Sequence, residues 1–309
     1  MKKRLIILFV IMILLILAAA AVLVFIYNDR GDISEARLPK NFETDLADDA
    51  FKNTGDIRIM SSNLLVDYQS WGGTPAKPRA KKYLALIDAY KPDVIGVQEF
   101  CENWYCAVNH NLPDGYKLIN PLTTGLFLRM TAMIYNSDTL KLIESDTFSY
   151  EMGDPRLRRV IWAVFEDKKT GRRFAVTNTH LDLLREGQYE ELTNVMRSQR
   201  DELFNCIEEL SERFDCLVFS TGDYNTAEDT PYTKAADIPE IYNSLAEKLV
   251  DTKFVSKNQV CGSERNWLSL SYDHIFMKGN AEINSFCLMS YDYLTDMSDH
   301  YTIFADVVL

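Results

Sequence analysis

The chain has 309 residues, of which 47% are apolar and 25% charged, an ordinary globular composition with ample material for a large core. Its formal charge of −12 disfavours nonspecific adhesion to nucleic-acid phosphates, although a local basic patch counts for more than the total. The sequence shows no internal repeat and no long low-complexity tract.

Residues 5–27 form an unbroken apolar stretch behind Lys2, Lys3 and Arg4. A helix of that length spans a hydrocarbon core of roughly 30 Å, and the leading cations favour a cytoplasmic N-terminus. The expectation is a single-pass cell-membrane protein, anchored by residues 1–27, with an extracytoplasmic body. The alternative is a secreted protein cut after a signal peptide at Ala18-Ala19-Ala20. That cut would leave a strongly apolar mature N-terminus, and the run is longer than a usual signal core. Six cysteines in an exported chain permit disulfides, with Cys101–Cys106 and Cys206–Cys216 the favoured pairs and isolated buried thiols the alternative.

Residues 28–55 are polar and acidic with little periodicity, and read as a tether. A strand over 57–62 delivers Asn63. A helix near 78–90 carries Ala80, Leu84 and Ile87 on one face. Lys91-Pro92-Asp93 ends it and starts a strand over 94–97 that delivers Glu99. Residues 100–124 look like an irregular insertion in which Trp104, Tyr105 and His110 either line a substrate entrance or pack the loop, the second being the safer reading. Alternation over 125–135, 140–149, 159–166 and 172–179 predicts an antiparallel meander. Residues 189–214 are the clearest helix, with Leu192, Val195, Met196, Leu203, Ile207 and Leu210 forming a core stripe. A buried strand over 217–219 runs through Gly222 to Asp223 and Asn225. Short helices around 231–236 and 241–248 and strands near 275–277, 282–289 and 301–308 complete one domain over 56–309. Strands and helices in this order fit a β-sandwich covered by helices.

Polar groups gather at one kind of position. Asn63, Glu99, His180 and Asp223 end strands, whereas Asp273-His274 and Asp299-His300 begin them. In antiparallel pairs the ends of one set lie beside the starts of the other, so these groups can meet on one rim. If the chain is extended past Gly222, Asp223 and Asn225 point to one side. Glu99, Asp223, Asp273 and Asp299 together would repel one another unless a cation intervened. Carboxylate and amide oxygens suit Mg²⁺, with Mn²⁺ or Ca²⁺ as alternatives, and zinc-like Cys/His spacings are lacking. Asp273 is placed to orient His300, His180 to assist a leaving oxygen, and one of Arg158 and Arg159 to face inward and clamp a phosphate. Asp182 and His274 have ordinary turn or packing roles.

Six segments in order carry a resemblance: Ser62-Asn63, Pro92-Asp93-Val-Ile-Gly-Val-Gln98-Glu99, Asn178-Thr179-His180-Leu181-Asp182, Gly222-Asp223-Tyr224-Asn225, Tyr272-Asp273-His274-Ile275 and Ser298-Asp299-His300. Over roughly 56–309 the chain resembles the endonuclease/exonuclease/phosphatase superfamily, the deoxyribonuclease-I-like fold. The resemblance implies a four-layer α/β/β/α sandwich and Mg²⁺-dependent hydrolysis of phosphoesters; a monomer is expected. It implies Glu99 as principal metal ligand, Asn63 supporting metal and phosphate, Asp299 in the metal shell, and Asp223 and Asn225 positioning phosphate and water or a second metal. It also implies the Asp273–His300 pair as base, His180 at the leaving group and Arg159 on phosphate, with Arg158 a near alternative. Abasic-site endonucleases of the family carry an acid two residues after the Asn; here that residue is Leu65, so their substrate is not expected. The substrate classes left are nucleic acid, a phospholipid or sphingomyelin head group, or a small phosphodiester. A catalytically silent surface-binding protein on the same scaffold is the reading from another class.

Overall fold

The computed structural model describes residues 2–68, 73–119, 130–228, 238–261 and 271–309. In chain order these form α1 (Lys2–Gly31), α2 (Phe42–Asp49), β1 (Ile57–Asn63), α3 (Ala76–Tyr90), β2 (Val94–Gln98), α4 (Glu102–Asn111), β3 (Tyr116–Ile119) and β4 (Thr131–Asn136). There follow β5 (Leu140–Ser149), β6 (Arg159–Asp167), β7 (Arg173–His180), α5 (Tyr189–Phe214), β8 (Leu217–Asp223) and α6 (Pro239–Ala246). The last elements are β9 (Val250–Asp251), α7 (Thr252–Val255), β10 (Asn258–Cys261), β11 (Asp273–Lys278), β12 (Glu282–Leu288) and β13 (Ile303–Val308).

One sheet has the order β10-β12-β13-β1-β2-β4-β3 and the other β5-β6-β7-β8-β11-β9. Each has a central parallel pair, β1–β2 and β7–β8, and β10–β12 is a further parallel pair at the edge of the first. Parallel neighbours need a crossover, which α3 supplies in one sheet and α5 in the other. Alternation along the strands makes three apolar layers. Ile57, Ile59, Val94, Phe219, Ile275 and Ile303 meet between the sheets. Met60, Ile95, Val97 and Phe304 pack under α2, α3 and α4, and Val160, Ala175, Val218 and Phe276 under α5 and α6. The result is the four-layer α/β/β/α sandwich.

Gly96 stands at a close approach of the two sheets. A Cβ there would overlap the Thr221 hydroxyl and lie 2.6 Å from Asn178 Oδ1. Asn178 fills that space, accepting from Gln98 Nε2 at 2.6 Å and donating to Val97 O and Ala132 O at 2.9 and 2.8 Å. A polar brace thus ties the sheets together directly beneath the strand ends.

Several expectations change. Residues 28–55 are not a loose tether: α1 runs on to Gly31, and α2 buries Phe42 and Leu46 in the α3/α4 layer. Only two large apolar side chains on an acidic eight-residue helix mark that docking, too few to register as periodicity. The segment from 100 is not irregular, since α4 occupies Glu102–Asn111. Trp104 is buried there edge-on to Tyr83, the packing role and not an entrance. The disulfides expected, Cys101–Cys106 and Cys206–Cys216, are not made. Cys101 caps α4 and gives its thiol hydrogen to Asp67 Oδ1 at 3.1 Å, while a residue five positions along a helix is turned away by about 140°. Cys206 and Cys216 pack separately against the α5 layer. β3, β9, β10 and α7 are short additions that the sequence did not announce. The helix expected over 231–236 and the strand start over 125–129 lie outside the described residues.

α1 is long and apolar enough to cross a membrane, a test that a signal sequence also passes. Its large apolar side chains from Ile6 to Ile26 are exposed.

Candidate active site

The registers bring the strand-end residues together. His180 on β7 lies opposite Asp223 on β8, and Asp223 opposite Asp273 on β11. All three sit on the same alternate positions as Phe174, Phe219 and Ile275, so they face the space between the sheets. From the other sheet, Asn63 ends β1, Glu99 follows β2 and His300 precedes β13.

Asp223 is the hub. Asn63 Nδ2 donates to its Oδ2 at 2.9 Å, His180 Nε2 stands 3.3 Å from the same oxygen, and His300 Nε2 stands 3.7 Å away. The far nitrogen of His300, Nδ1, pairs with Asp273 Oδ2 at 2.7 Å, the carboxylate–imidazole contact expected from the sequence. Asn63 Nδ2 also lies 3.4 Å from Glu99 Oε1, so two carboxylates approach one point, and Glu99 Oε2 accepts from Val66 N at 2.8 Å. Glu99 and Leu65 both have positive φ, 56° and 55°. Such backbone is costly for non-glycine residues and concentrates at functional sites.

Burial and charge divide the titratable groups. Burial of the His300 ring opposes its charge, but the Asp273 and Asp223 carboxylates outweigh that and push its pKa up to about 11. Burial lifts Asp223 to about 6, with Asp273 adding to the rise and the His300 cation opposing it. Burial also holds His180 well below its usual value, helped by Arg158 and His300, so that imidazole is neutral. The rim therefore carries a cationic His300 and a neutral His180 on either side of one buried carboxylate. Asp273 Oδ1 and His180 Nδ1 are buried without a partner. Unsatisfied buried acceptors are costly in a folded protein and call for an explanation.

The remaining expected residues fare unevenly. Asn225 is not in extended chain: its φ is 50°, its N–H donates to Asp223 Oδ1 at 2.9 Å, and its Nδ2 donates to Leu181 O at 3.0 Å. The short polar side chain that tolerates this conformation also closes the turn that aims Asp223. Arg158 faces the α5 side and pairs with Asp182 Oδ1 at 3.2 Å. Arg159 faces inward, with one bond from Nη2 to Ser149 Oγ at 2.9 Å and with Nε and Nη1 buried and unpartnered. Asp299 is exposed on the lip of the cleft that Leu65, Arg79 and Ser298 also line.

His274, next to Asp273, points the other way and packs, as expected. Its Nδ1 meets Asp251 Oδ2 at 3.0 Å and its Nε2 meets Thr226 O at 3.1 Å. Asp251 also accepts from Tyr242 Oη and Lys253 N, both at 3.0 Å.

Arg79 was missed in the sequence. From α3 it donates to Leu64 O, to Val66 O at 3.3 Å, to Thr74 O at 2.5 Å and to Met297 O at 3.2 Å, binding the loops on either side of the cleft. Its guanidinium lies 4.8 Å over the Trp104 ring. The available signal was its place one turn before Tyr83 on the buried stripe of α3, where a cation needs partners.

Among the described residues no three His, Cys, Asp or Glu side chains form a ready-made metal cage. Mg²⁺ does not require one, since it commonly takes one or two carboxylates and completes its shell with water and phosphate. The Glu99 and Asp223 carboxylates, with the unpartnered Asp273 Oδ1, supply the oxygens such an ion takes; Asn63 presents its NH2 to the first two and gives its Oδ1 to Leu65 N.

No protein-family model matches the chain and no curated relative matches it. Solved structures do. A mannosyl-6-phosphatase of Bacteroides thetaiotaomicron superposes with a TM-score of 0.66 at 18% identity, covering 82% of this chain and 100% of its own. An endonuclease/exonuclease/phosphatase protein of Bacteroides vulgatus gives 0.63 at 19% identity, covering 82% and 98%. The human Nocturnin catalytic domain, bound to a sulfate anion, gives 0.59 at 20% identity, covering 81% and 92%. At these identities the likeness is one of fold.

Proposed function

On a chain with the endonuclease/exonuclease/phosphatase fold, we propose that the rim around Asp223 is the active site of a divalent-metal-dependent phosphoester hydrolase held outside a membrane by α1. The observation that carries this reading is the convergence on one buried carboxylate oxygen of Asn63 at 2.9 Å, His180 at 3.3 Å and His300 at 3.7 Å, with Asp273 behind His300. Asp273 Oδ1 and His180 Nδ1 are unpartnered at the same rim and so are open to a ligand.

Glu99 and Asn63, with Asp223 and Asp299 at the edge, would hold Mg²⁺, which when bound polarises a phosphoryl oxygen and neutralises its charge. The chain's own residues supply the rest. Asp223 lies against His180 and His300 at the rim, where it can hold the ion or align the attacking water. His300, held by Asp273 at 2.7 Å, keeps the geometry of a base with its orienting carboxylate. Neutral His180 orients Asp223 and lies within reach of a leaving oxygen. Arg159 offers two open guanidinium donors to phosphate, whereas Arg158 is occupied by Asp182. Asn225 acts through the turn that fixes Asp223.

The test is turnover by full-length protein of DNA, RNA, sphingomyelin and a bis-aryl phosphodiester, with Mg²⁺, Mn²⁺ or Ca²⁺ and with chelator. Metal-dependent cleavage of at least one is expected, falling by about 10³-fold or more in Glu99→Gln. Absence of turnover under every metal would sink the reading.

A further inference from the structure

α1 does not leave the domain as a free stalk. Contact begins at Tyr27, where the apolar run ends. The Tyr27 ring lies 6.1 Å from that of Tyr105 and 6.2 Å from that of His110 on α4, and its hydroxyl accepts from Asn109 Nδ2 at 2.8 Å. One turn later Asn111 Nδ2 donates to Gly31 O at 2.7 Å, and Lys77 Nζ on α3 donates to Asp29 O at 2.5 Å. A Cβ at Gly31 would lie 3.0 Å from both Cys106 O and His110 Cβ, so glycine lets the two helices close on each other. The helix end is clamped to the domain.

It is clamped beside the rim. Glu99 and Tyr105 are six positions apart: three extended steps at up to about 3.5 Å and three helical ones at about 1.5 Å keep their backbones within about 15 Å. If the hydrocarbon layer ends at Tyr27, the head-group layer occupies the next 5–8 Å or so. α4 meets α1 at that level, and Glu99 is joined to α4 through Phe100 and Cys101. Two adjoining clefts flank Pro75 and Pro78. Arg30, Asp67, Lys77 and Asn103 line a cleft that shares Pro75 and Pro78 with the one reaching Leu65, Arg79 and Asp299. Arg30, Arg37, Lys77, Arg79 and Lys82 line these clefts against Asp67, Asp296 and Asp299, a net of two positive charges in a chain that is acidic overall.

Building on the hydrolase reading, we propose that α1 seats the catalytic rim at the head-group layer and that the substrate is a phosphoester carried by a membrane lipid. The lipid phosphate enters along these clefts from Arg30 towards Asp299. Aromatic residues at the end of the span hold the depth, as Tyr does at membrane boundaries, and the cleft cations attract the phosphate. A nucleic-acid strand arriving from solution would gain nothing from this placement.

Two measurements test it. Full-length protein is placed in phosphatidylcholine vesicles doped with sphingomyelin or phosphatidylglycerol, domain outward, and head-group release is compared with cleavage of external single-stranded DNA and of a soluble bis-aryl phosphodiester. Lipid turnover is expected. A Gly/Ser linker of about twenty residues inserted after Gly31, or Gly31→Leu, should lower it at least about fivefold by reducing effective concentration, with soluble diester turnover unchanged. Lipid turnover indifferent to both changes, or DNA and diester cleaved while lipid is not, would overturn the proposal. The second measurement needs no turnover: a fluorophore at Thr74→Cys should be quenched by head-group spin-labelled lipid and one at Lys169→Cys should not. Equal quenching would overturn the seating. Failure to cleave any ester would remove the hydrolase reading and the lipid substrate with it, while the quenching still decides whether the rim lies at the head groups.

Discussion

Asp273 and His274 are neighbours on β11, yet each belongs to a different carboxylate–imidazole pair. Asp273 pairs with His300 between the sheets at the rim; His274 pairs with Asp251 in the layer under α6. The second pair is closed. Both ring nitrogens of His274 have acceptors, and Asp251 is held by the ring, a tyrosine hydroxyl and a backbone N–H. The first pair is open: Asp273 keeps an unpartnered oxygen, and His300 is 19% exposed where His274 is 1%. The same two residue types in similar geometry thus do different work. Saturation marks the pair that holds the fold, and unmet hydrogen-bonding capacity marks the pair that awaits a ligand.

Breaking the closed pair should have the largest effect on folding. His274→Ala leaves Asp251 buried without its cation and is expected to cost about 3–5 kcal/mol in stability, measured by denaturant unfolding, while the folded fraction keeps most of its activity. The pH dependence sharpens the contrast. Burial opposes the charge on each partner, but the pairing prevails, holding Asp251 low and His274 high. The Asp251 contribution is present above its unfolded value of about 4 and disappears as pH falls through the folded value; the His274 contribution is present below about 6.5 and disappears as pH rises through its folded value. In His274→Ala the loss of stability above about pH 6.5 should become shallower, and an unchanged slope would contradict the assignment. A smaller effect is expected at Arg159. Arg159→Ala should raise KM about tenfold, the equivalent of one charge-assisted phosphate contact, with a larger shift than Arg158→Ala on the soluble diester.

Much of the rim was legible because a strand has a period of two and a register has no freedom to slip. Once 57–62, 94–97, 172–179 and 217–223 are strands with apolar alternate positions, Asn63, His180 and Asp223 must emerge on the same side as their core neighbours. What escaped has other causes. Asn225 sits beyond the strand, where a side-chain-to-backbone bond replaces extended geometry. The seating of α1 and α2 rests on a few aromatic contacts and one glycine, which leave no periodic trace. Arg79 works through carbonyl oxygens, and carbonyls belong to every residue type. Between Arg158 and Arg159 alternation decided only that one faces inward; the strand's own phase, with Val160 in the α5 layer and Ile161 between the sheets, identified which.

The most direct test sets the two carboxylates side by side. Metal-dependent turnover of a soluble bis-aryl phosphodiester and the denaturant midpoint are measured for full-length Asp223→Asn and Asp251→Asn. Asp223→Asn should lose activity by about 10³-fold or more with stability within about 1 kcal/mol of the parent, whereas Asp251→Asn should lose stability and retain turnover per folded molecule. Full activity in Asp223→Asn, or equal loss of turnover per folded molecule in both, would contradict the assignment of the rim as the site of chemistry.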